Sequence, residues 1–210
     1  MADRLFDVAG RSLDQLHSVR HRFAKHYSNT LWKLCICVLV VNVSLAFAGL
    51  TIPQLCKGTL LLFVCLLYTL LNQTLSGRFF PKELCVALIY TAGVVVFLQP
   101  IPSLLPEVGT LGLLCTINCM MISAKEQPID TAMQIYSIAH YLPKLSYALY
   151  AGCLILLMFS QQLHLPLLLS LAALLGVHFA DRRLSIESFR VLADGALLVG
   201  PLITLLIEIS

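Results

Sequence analysis

Long apolar stretches recur along this chain, and they restrict its fold more than any other feature of the sequence. Each runs for roughly 17–20 residues, enough for a helix to cross about 30 Å of hydrocarbon. The stretches cover approximately residues 31–50, 54–73, 84–102, 106–124, 142–160, 164–180 and 190–208. With 59% hydrophobic and only 12% charged residues, the chain cannot be an ordinary water-soluble domain. We therefore predict an all-α fold, a polytopic membrane helical bundle of about seven transmembrane helices that forms one domain over residues 1–210.

The positions of lysine and arginine predict the orientation of these spans. When the connections are numbered alternately, every Lys and Arg except Lys57 lies in or beside the N-terminal segment or every second connection. Positive charge of this kind marks the cytoplasmic side of a membrane protein. We expect the N-terminus and the connections 74–83, 125–141 and 181–189 to be cytoplasmic, with residues 1–30 in the cytoplasm or at the membrane interface.

Two pairs of acidic residues lie on this predicted cytoplasmic side. Asp3 and Asp7 precede the first span, and Glu126 and Asp130 follow the fourth; both pairs are four residues apart. On a helix that spacing places both carboxylates on one face. Hard cations such as Mg²⁺ bind carboxylate oxygens together with phosphate oxygens. The two pairs are therefore candidate catalytic and metal ligands that would hold Mg²⁺ across a diphosphate, which points to an enzyme acting on a phosphorylated lipid.

Basic and amide side chains accompany the acids. Arg22, Lys82 and Lys125 would neutralise a bound diphosphate. Asn118, within an apolar span, would orient a ligand or form a hydrogen bond between helices. Each acidic pair is also open to a simpler interpretation, as the solvated charged end of a helix. Aromatic residues that would shield a carbocation, or form an interfacial belt, are Tyr90, Tyr136, Tyr141, Tyr147 and Tyr150.

One more charged pair lies at the start of the last span. Arg190 and Asp194 are four residues apart, a spacing that favours an ion pair within one helix. We therefore predict that these two side chains contact each other. An ionisable residue within a span is also a candidate functional group.

The order of these motifs resembles that of a known family. The chain carries DRLFDV, then RHRFAKHY, then RFFPKE after two spans, and finally AKEQPIDTAMQIYSIA after an Asn-containing helix. This order resembles the UbiA-type intramembrane prenyltransferase superfamily, and within it a divergent bacterial branch. The resemblance implies nine membrane helices around a central cavity, in a bacterial inner membrane, where two acidic motifs bind Mg²⁺ and an isoprenyl diphosphate.

The resemblance also implies roles for individual residues. Asp3 and Asp7 would belong to the first metal motif, and Glu126 and Asp130 to the second. Lys82 would contact the diphosphate, and Arg22 lies in the basic stretch.

The chain departs from the family pattern in three respects. Glu126 stands where aspartate is usual, and Gln134 where glycine is common. By the resemblance, the first family helix and most of the second would lie before Met1, so that we expect about seven of the nine spans, in a fragment, a sequence with a misplaced start or a reduced protein.

Two functions follow as hypotheses, beside a purely structural membrane subunit that would bind no ligand. The first is Mg²⁺-dependent transfer of a prenyl group from an isoprenyl diphosphate to a lipophilic acceptor. The alternative is a non-catalytic membrane protein, a transporter or a lipid-binding pseudoenzyme, whose acids are only charged helix ends. Transporters usually place ionisable residues near the middle of the membrane, often within repeated segments. Here the acids cluster at the cytoplasmic ends of the spans and no internal repeat is evident, which favours the enzyme. Membrane lipid is a partner in both cases, and neither predicts a nucleic-acid partner.

Overall fold

The structure, a computed structural model, describes residues 19–75, 80–96, 105–132 and 165–209, together with Leu5, Val8, Tyr136, Ile138 and Gly152. Within these residues the secondary structure is helical, without a strand. The helices are α1 (Val19–His26), α2 (Ser28–Gly49), α3 (Ile52–Leu75), α4 (Lys82–Val95), α5 (Leu105–Ala132), α6 (Leu165–Phe179) and α7 (Ile186–Ile209), with a short 3₁₀ turn at Asp181–Arg183 before α7.

The described helices agree with the predicted spans. α2, α3, α5 and α7 are long and apolar enough to cross a membrane, whereas α6 is a shorter apolar helix over its described length. α4 begins within two residues of a predicted span. The predicted span at 142–160 lies outside the described residues, except for Gly152. The described part of the chain is therefore all helical, with the long apolar helices of an integral membrane protein, and the number of seven spans stays a prediction.

α5 extends further than its apolar stretch predicts. It runs for 28 residues and continues through Pro128 to Ala132. Glu126 and Asp130 consequently lie on the last turns of this helix. Pro128 removes one backbone donor from this end of the helix.

The chain divides into two compact units, and each is described by itself. The first comprises residues 1–80 and 128–136, and the second comprises residues 81–127 and 137–210. In the first unit a small cluster joins Val8 and Ala24, with Leu31 packed against it. The Nζ atom of Lys25 donates to the carbonyl oxygen of Val8 at 3.2 Å.

Helices α2 and α3 of the first unit have no buried side chain. Their exposed residues are mostly large and apolar, as at Phe47, Leu60 and Phe63. Surface of this kind is unfavourable in water and compatible with hydrocarbon. The two helices therefore present lipid-compatible surface around their circumference.

The second unit contains the main hydrophobic core. Its buried members come from α5, α6 and α7: Leu114, Ile117, Met121, Leu171, Leu174, Phe189, Ala193 and Ala196. Small alanines on α7 face larger residues of α5 and α6, which allows the helices to approach closely. This core holds the end of α5 against the beginning of α7.

At the contact between α6 and α7, a serine hydroxyl replaces a backbone hydrogen bond that a proline removes from α7. Pro201, inside α7, has no N–H to donate to the carbonyl of Leu197 four residues earlier. The hydroxyl of Ser170 on α6 donates to that carbonyl at 3.1 Å, and it accepts from the Gly200 N–H at 3.1 Å. A Cβ atom at Gly200 would overlap the backbone carbonyl of Pro166, so only glycine fits at this crossing.

Candidate functional site

The predicted site residues are distributed over both units. Asp3 and Asp7 lie outside the described residues. Arg22 is exposed on α1, and Asp130 is half-buried near the end of α5. The remaining four predicted residues belong to the second unit: Lys82, Asn118, Lys125 and Glu126. The structure therefore bears on one part of the predicted site, at the end of α5.

Four charged residues pair where α5 ends and α7 begins. Lys125 Nζ lies 2.7 Å from Asp181 Oδ1, and it donates to the Asp181 carbonyl oxygen at 2.8 Å. It also lies 5.6 Å from the ring centroid of Phe189. Arg190 Nη1 donates to Glu126 Oε1 at 3.0 Å. We call Lys125, Glu126, Asp181 and Arg190 the ion-pair cluster.

The two pairs of this cluster differ in exposure. The Glu126 and Arg190 side chains are 10% and 28% exposed, whereas those of Lys125 and Asp181 are 21% and 40% exposed. A charge pair is less screened by solvent when it is more deeply buried. The pair of Glu126 and Arg190 is therefore the less screened of the two, and the sequence interpretation did not predict it.

A buried glutamate joins the start of α4 to the end of α5, and the sequence interpretation missed it. Glu83 is only 2% exposed. Its Oε1 atom accepts from the Ser123 hydroxyl at 2.5 Å, and its Oε2 atom accepts from the Ile138 N–H at 3.4 Å. The available signal was an acidic residue at the edge of an apolar span, next to Lys82, since ionisable residues at such positions tend to face protein. Lys82 itself is half-buried as the first residue of α4.

Asn118 forms the hydrogen bond between helices that the sequence left open. It is 3% exposed, and its Nδ2 atom donates to Asp194 Oδ1 on α7 at 3.2 Å. We call Asn118 and Asp194 the acid–amide pair. Because Arg190 contacts Glu126 and Asp194 contacts Asn118, the predicted ion pair within α7 is wrong. Packing against α5 gives each residue a closer partner than its neighbour one turn away.

Two acids that contact α5 differ from those of the ion-pair cluster. The ion-pair cluster is neutral, with two acids and two bases. Among the described residues, Glu83 and Asp194 have no basic partner. Both are bonded to neutral donors only, although carboxylates in such places are usually paired with a cation.

The donor chemistry of the second acidic motif fits Mg²⁺ in part. Glu126 and Asp130 supply carboxylate oxygens, the ligands that Mg²⁺ prefers. One oxygen of Glu126 accepts from Arg190, so a metal would compete with a guanidinium for it. No group of three or more His, Cys, Asp or Glu side chains is arranged for metal binding in the part of the chain that the structure describes. A complete metal site would need ligands from elsewhere, such as the predicted first motif.

Comparisons with protein-family models, with curated proteins and with solved structures found no match to this chain.

Proposed function

We propose that this protein transfers a prenyl group from an isoprenyl diphosphate to a lipophilic acceptor at the cytoplasmic side of a bacterial inner membrane, with Mg²⁺ as its cofactor. The proposal retains the resemblance to UbiA-type prenyltransferases. One observation carries it: charged and polar residues from three predicted cytoplasmic regions meet around the end of α5. Contacts from Ser123 to Glu83, from Lys125 to Asp181 and from Glu126 to Arg190 make this connection.

The proposed metal ligands are the four acids of the two motifs. Asp3 and Asp7 would act with Glu126 and Asp130, and bound Mg²⁺ would offset the negative charge of the departing diphosphate. Release of Glu126 from Arg190 would make its Oε1 atom available for this role. The freed guanidinium would then be available to a phosphate oxygen, which it can contact through two N–H groups.

Basic residues would hold the diphosphate before and after transfer. Lys82, Lys125 and Arg22 are the candidates. Lys125 now pairs with Asp181, and a diphosphate would replace that carboxylate with an anion of higher charge. Asn118 would act deeper in the protein, where it can orient the substrate.

The alternative is a non-catalytic membrane protein, and the ion-pair cluster favours it. Lys125 and Glu126 each have a partner of opposite charge, as expected of a structural network that fastens α5 to α7. In this case the acids bind no metal. A lipid-binding pseudoenzyme or a transporter would then be the function.

Titration calorimetry with a non-hydrolysable prenyl thiolodiphosphate tests the proposal. The detergent-purified full chain would be measured with and without Mg²⁺, beside Asp130→Asn and the Asp3→Ala, Asp7→Ala double variant. Glu187→Gln is the matched control, because Glu187 is an exposed acid of α7 outside both motifs. We expect Mg²⁺-dependent binding that falls at least about tenfold in both motif variants and is unchanged in the control.

Two results contradict the proposal. Binding that does not depend on Mg²⁺ or on the motif acids supports the lipid-binding alternative. Absence of binding by a folded sample, judged by its helical circular dichroism, removes diphosphate binding by this chain altogether.

A further inference from the structure

The first three helices lie in a stretch of the chain that has no acidic residue. Residues 15–82 contain no Asp or Glu, although seven Lys or Arg residues occur among them. Opposite charges one turn apart usually accompany basic residues on a helix surface, and this stretch cannot supply them. An anion that approaches α1 or α2 therefore does not compete with carboxylates of the same helices.

Helical hydrogen bonds continue from α1 into α2 across the junction at Tyr27. The Tyr27 N–H donates to the carbonyl oxygen of Phe23 at 3.0 Å, and the Leu31 N–H donates to that of Tyr27 at 2.9 Å. Tyr27 itself has φ −100° and ψ 20°, so the deviation from helical angles is confined to one residue. Side chains that are four, seven and eleven residues apart consequently lie along one side of α1 and the start of α2.

Four exposed polar residues, three of them basic, occupy such positions. We call them the basic stripe: Arg22, His26, Asn29 and Lys33. The opposite side of the same segment faces protein, because Ala24 and Leu31 pack with Val8. Lys33 forms no hydrogen bond or ion pair within the described part of the chain. The stripe is therefore a positively charged surface that is accessible from outside the protein.

The basic stripe crosses from water into the membrane. Lys33 is five residues inside α2, which is long and apolar enough to span a bilayer, or about 7 Å from the beginning of that helix. Side chains of a helix tilt towards its N-terminus, so the Lys33 ammonium can extend back to the lipid headgroups. The exposed rings of Phe23 and Tyr27 lie beside the stripe with their centroids 4.7 Å apart, and aromatic residues favour this interface.

A partner of this surface needs a negative charge and an apolar part. The basic stripe leads directly into exposed apolar surface of α2, which includes Leu34 and Ile36. A water-soluble acidic molecule can approach Arg22, but Lys33 lies at the depth of the lipid itself. A zwitterionic headgroup carries its own cation, whereas an anionic headgroup attracts each nearby Lys or Arg by an amount that corresponds to about fivefold in binding. An anionic phospholipid meets both requirements.

We propose that the basic stripe binds the phosphate of an anionic phospholipid, whose acyl chains lie along α2. This binding is independent of the proposed function, because it requires neither Mg²⁺ nor a prenyl diphosphate. Arg22 is also a candidate for diphosphate binding, so the variants that test the inference change Lys33 instead.

The single tryptophan of the chain provides the measurement. Trp32 is 36% exposed and adjacent to Lys33 in sequence, and bromine atoms on acyl chains quench the fluorescence of a tryptophan that they contact. The full chain would be reconstituted in phosphatidylcholine vesicles with increasing fractions of dibrominated phosphatidylglycerol or dibrominated phosphatidylcholine. We expect the anionic lipid to bind beside Trp32 at least about tenfold more tightly, because Arg22 and Lys33 both attract it. Equal quenching by the two lipids overturns the inference.

Variants then assign the preference to the stripe. Lys33→Gln should lower the preference for phosphatidylglycerol about fivefold, and Lys33→Arg should retain it because the charge remains. Lys57→Gln is the matched control, since Lys57 lies on α3 within the same acid-free stretch but on the predicted external side. It should leave the quenching of Trp32 unchanged. A preference that Lys33→Gln does not lower results from overall charge and overturns the inference.

Competition distinguishes a phospholipid from a prenyl diphosphate at the stripe. Prenyl thiolodiphosphate with Mg²⁺ would be added to vesicles that contain dibrominated phosphatidylglycerol. We expect the quenching of Trp32 to stay unchanged. Recovery of the fluorescence would identify the stripe as part of a diphosphate site and overturn the inference. Calorimetric binding of the same compound is a separate measurement, so this inference and the proposed function can fail independently.

Discussion

Helices α2 and α5 are both long and apolar, but their side chains have different surroundings. α2, the more apolar of the two, buries none of its side chains. α5, the less apolar, buries several, including the polar residues Asn118, Ser123 and Glu126. The less apolar helix is thus the one that packs inside protein, because lipid cannot satisfy its polar groups. Hydropathy therefore identifies the helices that enter the membrane. Polar residues within such a helix identify it as one that packs against other helices.

The comparison predicts that changes among α5, α6 and α7 cost stability, whereas equivalent changes on α2 do not. The largest effect is expected at the close crossing of α6 and α7. Gly200→Leu should destabilise the protein by about 3 kcal/mol or more, because the new side chain would displace the Pro166 backbone. Unfolding by SDS in mixed micelles, followed by circular dichroism, measures this. Gly195→Ala on the same helix has open space around it and should change the free energy of unfolding by less than about 0.5 kcal/mol.

The two halves of the ion-pair cluster should differ in strength. Arg190→Gln removes the guanidinium that contacts the nearly buried Glu126 and should cost about 2 kcal/mol, less than a fully buried pair would. Lys125→Gln affects a more exposed pair and should cost below about 1 kcal/mol. Double-mutant cycles with Glu126→Gln and Asp181→Asn measure each coupling energy. Equal coupling energies would mean that burial does not decide the strength of these pairs.

Hydrogen bonds across helices should matter more than those within one helix. Ser123→Ala leaves the buried Glu83 without its hydroxyl donor and should cost about 1–2 kcal/mol in the same unfolding assay. Thr116→Val is the control, because the Thr116 hydroxyl bonds only to the Gly112 carbonyl of its own helix. Its expected change is below about 0.5 kcal/mol. Similar losses in the two variants would remove the distinction.

Asn42 on α2 and Asn118 on α5 allow a direct comparison of the two helices, with the smallest expected effects on stability. Asn118→Leu should lose about 1 kcal/mol, the scale of a hydrogen bond between membrane helices. Asn42→Leu removes only a bond to the Val38 carbonyl of its own helix and should stay within about 0.5 kcal/mol. Heat denaturation of the two variants, monitored by circular dichroism, provides the readout. A larger loss for Asn42→Leu would show that α2 has protein partners after all.

Much of the fold was predictable because membrane helices are specified locally. A run of apolar residues must satisfy its own backbone in lipid, so hydropathy and length located α2, α3, α5 and α7. The continuation of α5 through Pro128 was not predictable in this way. That end of the helix is polar, and packing rather than hydropathy determines how far it extends.

The residues of the candidate site were easier to predict than the contacts between them. Sequence spacing placed Arg190 beside Asp194, whereas the structure pairs Arg190 with Glu126, 64 residues away. The spacing rule describes neighbours on one helix and contains no information about the helix packed against it. Glu83 escaped notice for a related reason. Its importance comes from the burial that α5 imposes on it, not from a motif of its own.

The contact of Ser170 with α7 has a consequence for the order of synthesis. α6 leaves the ribosome before α7, so the hydroxyl that serves the Leu197 carbonyl is in place when the last helix arrives. In a circularly permuted chain, α7 could be made first. It would then enter the membrane with the Leu197 carbonyl lacking a hydrogen-bond donor, because neither Pro201 nor lipid supplies one. The last helix of this protein is therefore completed by a helix made before it.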